Sequence, residues 1–115
     1  MNTDIRSSER RLALNLPPEL ATGVTTHVHA SLTFRVTLKV KDVDACQLSL
    51  EYDKTLFAED LKAIEVNFTQ EVEEKDFDFT LTPISRTTRP TWIEVTAVAG
   101  TLVQIGGFFV TVTNS

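Results

Sequence analysis

The sequence has little cysteine and no long apolar run. Cys46 is the single cysteine among 115 residues, so an intramolecular disulfide is impossible. Small secreted domains commonly rely on disulfides, which favours a reducing, cytoplasmic compartment unless the chain is a piece of a longer secreted protein. No apolar run approaches the roughly 20 residues of a membrane helix, and the polar N-terminus lacks the apolar core of a signal peptide. We therefore expect a cytoplasmic domain without a membrane segment.

Clustered positive charge is also missing. The chain has 11 Lys and Arg against 16 Asp and Glu, a net charge of −5. Nucleic-acid binding requires Lys and Arg gathered opposite phosphates, so no nucleic-acid partner is expected. Hydrophobic residues make up 42% of the chain, which is enough to bury a core, and the length suits a single domain.

What the chain does contain is a two-residue alternation of apolar and polar side chains, the period of a half-buried strand. It is clearest over residues 31–40, where five apolar positions alternate with polar ones. Similar stretches predict about seven strands, over residues 11–16, 31–40, 46–52, 64–68, 77–81, 92–98 and 102–113. One polar face per strand indicates antiparallel sheets that are solvated outside. The predicted fold is an all-β, immunoglobulin-like antiparallel sandwich, with a closed barrel as the alternative.

The connections carry predictions of their own. Residues 1–10 show no period and are expected to form a flexible leader to a single sandwich domain over residues 11–115. Residues 71–75 predict a charged turn, and residues 99–101 a tight turn. Gly106 and Gly107, inside the last strand, predict a bulge or a kink.

Two groups of residues suggest metal ligands. His27 and His29 are two apart, as a pair on one side of a strand would be, but a zinc site needs further ligands. Asp42 and Asp44 could offer oxygens to calcium, but calcium takes six to eight oxygens and the EF-hand spacing is absent. Exposed histidines and a solvated turn explain both groups more simply, so we predict no metal and no cofactor.

Nucleophilic and acid–base chemistry is equally weakly supported. Cys46 is in phase with the apolar residues of its strand, which predicts a buried, inert thiol rather than a nucleophile. The acidic stretch over residues 71–78 could offer paired carboxylates, but on a turn these charges are most simply solvated. No catalytic residue is predicted, and we expect the protein not to be an enzyme.

The predicted interaction surface combines two groups. Arg86, Arg89 and Trp92 lie near one loop–strand junction, and Arg and Trp are enriched at interface hot spots. Trp92 is out of phase with its inward-facing neighbours, so it either lies on the outer face or packs under the loop over residues 87–90, which is the interpretation we favour. Glu73 and Glu74 belong to the acidic stretch and could contact a basic partner.

The C-terminal half resembles a known kind of module. A strand ending in proline (residues 77–83, FDFTLTP), a loop, residues 92–95 (WIEV), a turn at Gly100 and residues 109–112 (FVTV) resemble the end of bacterial immunoglobulin-like or fibronectin-like accessory modules. Residues 50–53 (LEYD) resemble a strand end in related bacterial sandwich modules, including cohesin-like ones. The paired cysteines of an antibody domain are missing. The resemblance implies the fold and a role in protein contact, and it assigns no functional residue.

Together these observations favour a non-catalytic protein-interaction or spacer module, as part or partner of a larger bacterial assembly. A protein partner is expected, and self-association through an edge strand is a further option. The alternatives are a carbohydrate- or ligand-binding sandwich, a phage or particle structural subunit, and a hydrolase that uses His27 or His29 with the acidic stretch.

Overall fold

A computed structural model describes residues 9–114 and shows eight strands in two sheets. The strands are β1 (Arg11–Asn15), β2 (Val24–His27), β3 (Leu32–Lys41), β4 (Ala45–Glu51), β5 (Ile64–Asn67), β6 (Val72–Leu81), β7 (Thr91–Ala99) and β8 (Leu102–Thr113). A short 3₁₀ helix (Pro18–Thr22) links β1 to β2. The predicted leader falls mainly on residues 1–8, which lie outside the described residues.

The strands divide into a smaller and a larger sheet. Sheet A has the order β1-β3-β6, and sheet B has the order β2-β8-β7-β4-β5. All pairs are antiparallel except β2 with β8, which are parallel. The predicted all-β sandwich is confirmed, and β2 is the strand that the alternation did not predict. It has only four residues, too few for a pattern, and it pairs with a strand more than eighty residues further along the chain.

The core lies between the inner faces of the two sheets. In sheet A the inward side chains of β3 are buried, and in sheet B the inward side chains of β4, β7 and β8 are buried. Phe34 of β3 meets Phe108 of β8 edge to face, with ring centroids 5.0 Å apart. Aromatic pairs prefer this geometry because the positive ring edge meets the negative ring face. The two-residue alternation is therefore a direct record of which side chains enter the core.

The long connection between β4 and β5 closes one end of the sandwich. Phe57 is buried and packs edge to face against Tyr52, with centroids 5.8 Å apart. The Tyr52 hydroxyl donates to the carbonyl of Glu59 (2.7 Å) and accepts from the amide of Leu61 (2.9 Å). The Glu59 carboxylate accepts from the amide (2.7 Å) and hydroxyl (2.8 Å) of Thr82, at the end of sheet A. These bonds fix the connection against both sheets.

Three predicted connections can be compared with the structure. The tight turn is confirmed, because Gly100 and Thr101 form the two-residue loop of the β7–β8 hairpin and Gly100 has a φ of 63°. The predicted charged turn over residues 71–75 is wrong, since β6 already begins at Val72. The predicted bulge is also wrong, because the β7–β8 register continues unbroken through Gly106 and Gly107.

Candidate interaction surface

The outer face of sheet A is polar and internally paired. Arg35 donates to Asp78 (3.0 Å) across β3 and β6, and Thr37 donates to Asp76 (2.7 Å) in the next pair along. Lys39 lies 3.9 Å from Glu74 in the same ladder. Each charge on these outer positions of β3 therefore faces an opposite charge on β6, a pattern that stabilises a sheet in contact with water.

The outer face of sheet B is apolar along β7 and β8. Five exposed side chains form what we call the stripe, namely Trp92, Val98, Val103, Ile105 and Phe109. Their exposed fractions run from 36% for Val98 to 61% for Ile105. In the register Trp92 lies opposite Phe109 and Val98 opposite Val103. Scattered exposed apolar residues are ordinary, whereas an aligned group on one face is typical of surfaces that bind another protein.

The Trp92 ring can lie against the outer face of sheet B because residue 107 is glycine. The Trp92 ring lies so close over Gly107 that a Cβ there would be 2.3 Å from Cζ2 and 2.6 Å from the carbonyl oxygen of Ile93. Phe109 flanks the indole edge to face, with centroids 4.8 Å apart, and Trp92 Nε1 donates to Glu94 (3.2 Å). Gly107 thus provides space for the ring rather than a bulge. The favoured interpretation, in which Trp92 packs under the 87–90 loop, is wrong.

Acidic residues accompany the stripe. Glu51 and Glu94 are directly opposite each other across β4 and β7 on the same outer face, and Glu65 continues that face on β5. Among the described strand positions of this face there is no Lys or Arg. The outer face of sheet B therefore combines exposed apolar surface with negative charge that no Lys or Arg on its described strand positions balances.

A groove continues the stripe toward the β2 edge. It has a volume of about 510 Å³ and is lined by residues 21–25, Pro90, Phe109 and Thr111. Phe109 belongs to both the groove and the stripe, so the two form one surface.

The structure separates the residues of the predicted interaction surface. Trp92 lies on the outer face of sheet B, and Arg86 and Arg89 are exposed in the β6–β7 loop beside it, lining a shallow depression with Asp53. Thr87 fastens this loop to β8, because its amide donates to the carbonyl of Val112 (3.0 Å). Whether Arg86, Arg89 and Trp92 contact a partner stays a prediction.

Glu73 and Glu74 lie instead on sheet A, near the opposite end of β6 from that loop. Glu74 is exposed and near Lys39, whereas Glu73 lies opposite Val40 on the inner side. The Glu73 carboxylate accepts from the amides of Thr69 (2.8 Å) and Gln70 (3.0 Å), and these bonds lower its pKa. Glu73 therefore holds the β5–β6 turn.

The two predicted pairs of metal ligands lie where β2 and β3 end. His27 ends β2, and His29 lies in the next turn with a left-handed φ of 72°, so the two do not share a strand. Asp42 and Asp44 flank the buried Val43 in the β3–β4 turn, where Asp42 has a φ of 57°. Within residues 9–114 no three His, Cys, Asp or Glu side chains are placed to share a metal ion. Cys46 is buried as predicted, and burial raises the pKa of its thiol.

Val98, Val103, Ile105 and Phe109 were not singled out from the sequence. A signal was nevertheless present in β8, where Val103, Ile105 and Phe109 occupy one phase while Phe108, Val110 and Val112 occupy the other. A strand whose side chains are apolar on both sides is typically covered on both faces of its sheet. In this sheet only the inner face is covered by the described chain.

Comparison with known proteins finds likeness in the fold. The CARDB domain of the PF1109 protein from Pyrococcus furiosus, solved in complex with di-metal ions, matches with a TM-score of 0.64 and 18% identity over 93% of this chain and 94% of that one. The ASH/PapD-like domain of human CEP192 (PapD-like domain 7) matches with a TM-score of 0.44 and 9% identity, over 90% and 84% of the two chains. No protein-family model and no curated protein matches the chain.

The likeness to the CARDB domain confirms the immunoglobulin-like sandwich predicted from the sequence. In the part of the chain that the structure describes, no helix has the length and apolar character needed to cross a membrane.

Proposed function

We propose that this domain is a non-catalytic protein-interaction module that binds its partner through the outer face of sheet B. The observation that carries the proposal is the stripe on β7 and β8, set against the mainly polar outer face of sheet A, where β3 and β6 pair opposite charges. Burying an exposed apolar side chain stabilises a complex by about 25 cal/mol per Å² of area removed from water. Two faces of one sandwich that differ this much are adapted to different surroundings: water on one side, protein on the other.

The strand edges give weaker support for a contact. Among the described strands, three of the four edge strands (β1, β2 and β5) have only four or five residues. The fourth, β6, is long but carries Glu73 and Lys75 on its inner side. Short edges and inward-pointing charges are the devices by which natural sheets avoid pairing with another strand. We therefore favour the face over an edge as the contact surface.

Site-specific photo-crosslinking in the source cell tests this function. A crosslinking amino acid at position 105 should capture one discrete protein, and the same residue at the exposed position 39 on sheet A should not. Val103→Glu should abolish the capture and weaken binding of the purified partner at least tenfold. The matched control is Val72→Glu, because Val72 is at least as exposed as Val103 (66% against 50%) but lies outside the stripe.

Equal capture from both faces, or capture that survives Val103→Glu, would contradict the proposal. So would a glycan or small ligand whose binding is lost on Trp92→Ala while no protein is captured at position 105. That result would establish the ligand-binding alternative.

A further inference from the structure

The two carboxylates beside the stripe are in an unfavourable arrangement. Glu51 of β4 and Glu94 of β7 are directly opposite in the register, and like charges in that relation destabilise a sheet. On sheet A, β3 and β6 pair opposite charges instead, such as Arg35 with Asp78. Lys41 of β3 does face Arg11 of β1, but its Nζ lies 3.7 Å from the carboxylate of Glu9. Glu51 and Glu94 form no ion pair with any residue in the range 9–114, so a cation supplied by another molecule would stabilise them.

The described chain offers these carboxylates little compensation. Trp92 Nε1 donates to Glu94 at 3.2 Å, which is a neutral donor and cancels no charge. Lys54 follows Glu51 by three residues and attracts it weakly, but its Nζ lies 2.8 Å from Asp60, which is its main partner. The outer strand positions of sheet B hold three glutamates, Glu65 being the third, and among the described residues they hold no Lys or Arg; the single histidine there is His27, at the far edge on β2.

This charge distribution argues against a second copy as the occupant. Two copies stacked face to face would bring two sets of these glutamates into one interface without a strand cation to separate them. Like charges brought together across an interface cost several kcal/mol and exclude wrong partners. The occupant must therefore be a different surface, with positive charge where this one is negative.

We propose that the partner presents a cationic, apolar protein segment to sheet B, with Lys or Arg side chains beside Glu51 and Glu94 and apolar side chains on Val98, Val103 and Ile105. This rests on the interaction function proposed above and adds the chemistry of the partner. Glu94 lies on β7 between Trp92 and Val98 of the stripe, and Glu51 lies opposite it on β4. A segment that covers this face must therefore present basic and apolar side chains on the same side, which in an extended chain carries every second residue. The arriving cations remove the repulsion that the free domain carries.

Two synthetic peptides test this chemistry directly. One is a twelve-residue peptide that repeats Val-Val-Lys-Lys, so that each side of the extended chain carries both residue types, and the other repeats Val-Val-Glu-Glu. Each is titrated into the isotopically labelled full chain while amide shifts are followed by NMR. The Val-Lys peptide should shift the amides of β7 and β8 and the Trp92 indole, and the Val-Glu peptide should not. Raising the salt from low to about 0.5 M should weaken the binding, since the Debye length then falls to a few Å.

Two double variants with the same change in net charge show which carboxylates attract the Val-Lys peptide. The double variant Glu51→Gln, Glu94→Gln should weaken the Val-Lys peptide about tenfold. The control Glu71→Gln, Glu74→Gln changes the net charge equally but away from sheet B, and should stay within twofold of the parent. If both double variants weaken binding equally, the attraction is general and the proposal is overturned.

A failure of the cationic-partner proposal can be distinguished from a failure of the proposed interaction function. If both peptides bind equally and Ile105→Glu abolishes both, the stripe is an interaction surface but the cationic partner is refuted. If the Val-Lys peptide does not bind sheet B, the cationic partner is likewise refuted, and the crosslinking at position 105 decides the interaction function independently.

Discussion

At the scale of single residues, Gly107 and Trp92 determine the shape of the stripe. The indole occupies the volume in which any other residue at position 107 would place its Cβ. No side chain at 107 can satisfy this contact without displacing the ring or the backbone of Ile93.

Gly107→Ala should therefore destabilise the domain by about 1–3 kcal/mol, the usual cost of overpacking a tight site. Gly106→Ala is the matched control, because its Cβ would meet the flexible end of Leu14 at 3.0 Å, which can move. Urea unfolding followed by circular dichroism measures both. Equal losses for the two variants would mean that Trp92 does not define the constraint.

Glu51 offers a second prediction at this scale. Because it faces Glu94 across the strand pair, Glu51→Gln should raise the thermal midpoint of the free domain at low salt. The gain should shrink in 1 M salt, where exposed charges are screened. Differential scanning calorimetry at the two salt concentrations measures it. A lower midpoint at low salt would show that the pair is compensated and would weaken the case for a cationic partner.

At the scale of elements, β6 shows how this sandwich protects a long edge. Its first half turns Glu73 and Lys75 inward, opposite Val40 and Leu38. The Lys75 ammonium donates to the carbonyl of Asn67 (2.7 Å) and lies 5.6 Å from the centroid of Phe68. The two charges thus close the open side of the sandwich between β5 and β6, and they keep a second strand from pairing there.

Lys75→Val should promote self-association, since it removes the inward charge and adds a strand-forming residue to the edge. Lys39→Val is the control, because it makes the same change on the exposed outer face of β3, which is flanked on both sides by strands. Light scattering and thioflavin fluorescence at 37 °C should rise for Lys75→Val well before the control. Indistinguishable time courses would contradict an edge-protecting role.

At the scale of the whole molecule, acid stability depends on carboxylates that hold connections together. Ion pairing with Lys54 and Lys62 lowers the pKa of Asp60 to about 2. The pKa of Glu59 is also lowered, because its bonds from Thr82 outweigh its partial burial. Others with a lowered pKa, held by hydrogen bonds or an ion pair, are Asp53, Glu73 and Asp78.

These carboxylates have a lower pKa in the folded chain than the unfolded value of about 4. At pH values between the two pKa values, the unfolded chain therefore binds more protons than the folded chain. The stabilisation is complete above the unfolded pKa and is lost as the pH falls through the folded one. The urea midpoint should thus be flat from pH 7 to about 5 and decline toward pH 2, and Asp60→Asn should flatten the lowest part of that decline. A midpoint independent of pH down to 3 would contradict this.

Local alternation made much of this fold predictable. The strands β3, β4, β7 and β8, the hairpin at Gly100 and the buried Cys46 all follow from a two-residue period, which the backbone imposes whatever the partners of a strand are. Other features were not predicted because they depend on contacts with a neighbouring strand or turn. Strand β2 exists because β8 lies beside it, Glu73 turns inward to reach amides of the preceding turn, and Gly107 is required by a ring on the neighbouring strand.

The candidate interaction surface was likewise predictable only in part. The alternation alone predicted an all-β sandwich, with a closed barrel as the alternative, and placed Trp92 out of phase with the core of its strand. Only the tertiary structure decided that Trp92, Val98, Val103, Ile105 and Phe109 meet on one face, and that Glu51 opposes Glu94 beside them. The reason is physical: alternation assigns each side chain to one of two sides of its own strand, whereas strand order and register decide which side chains become neighbours.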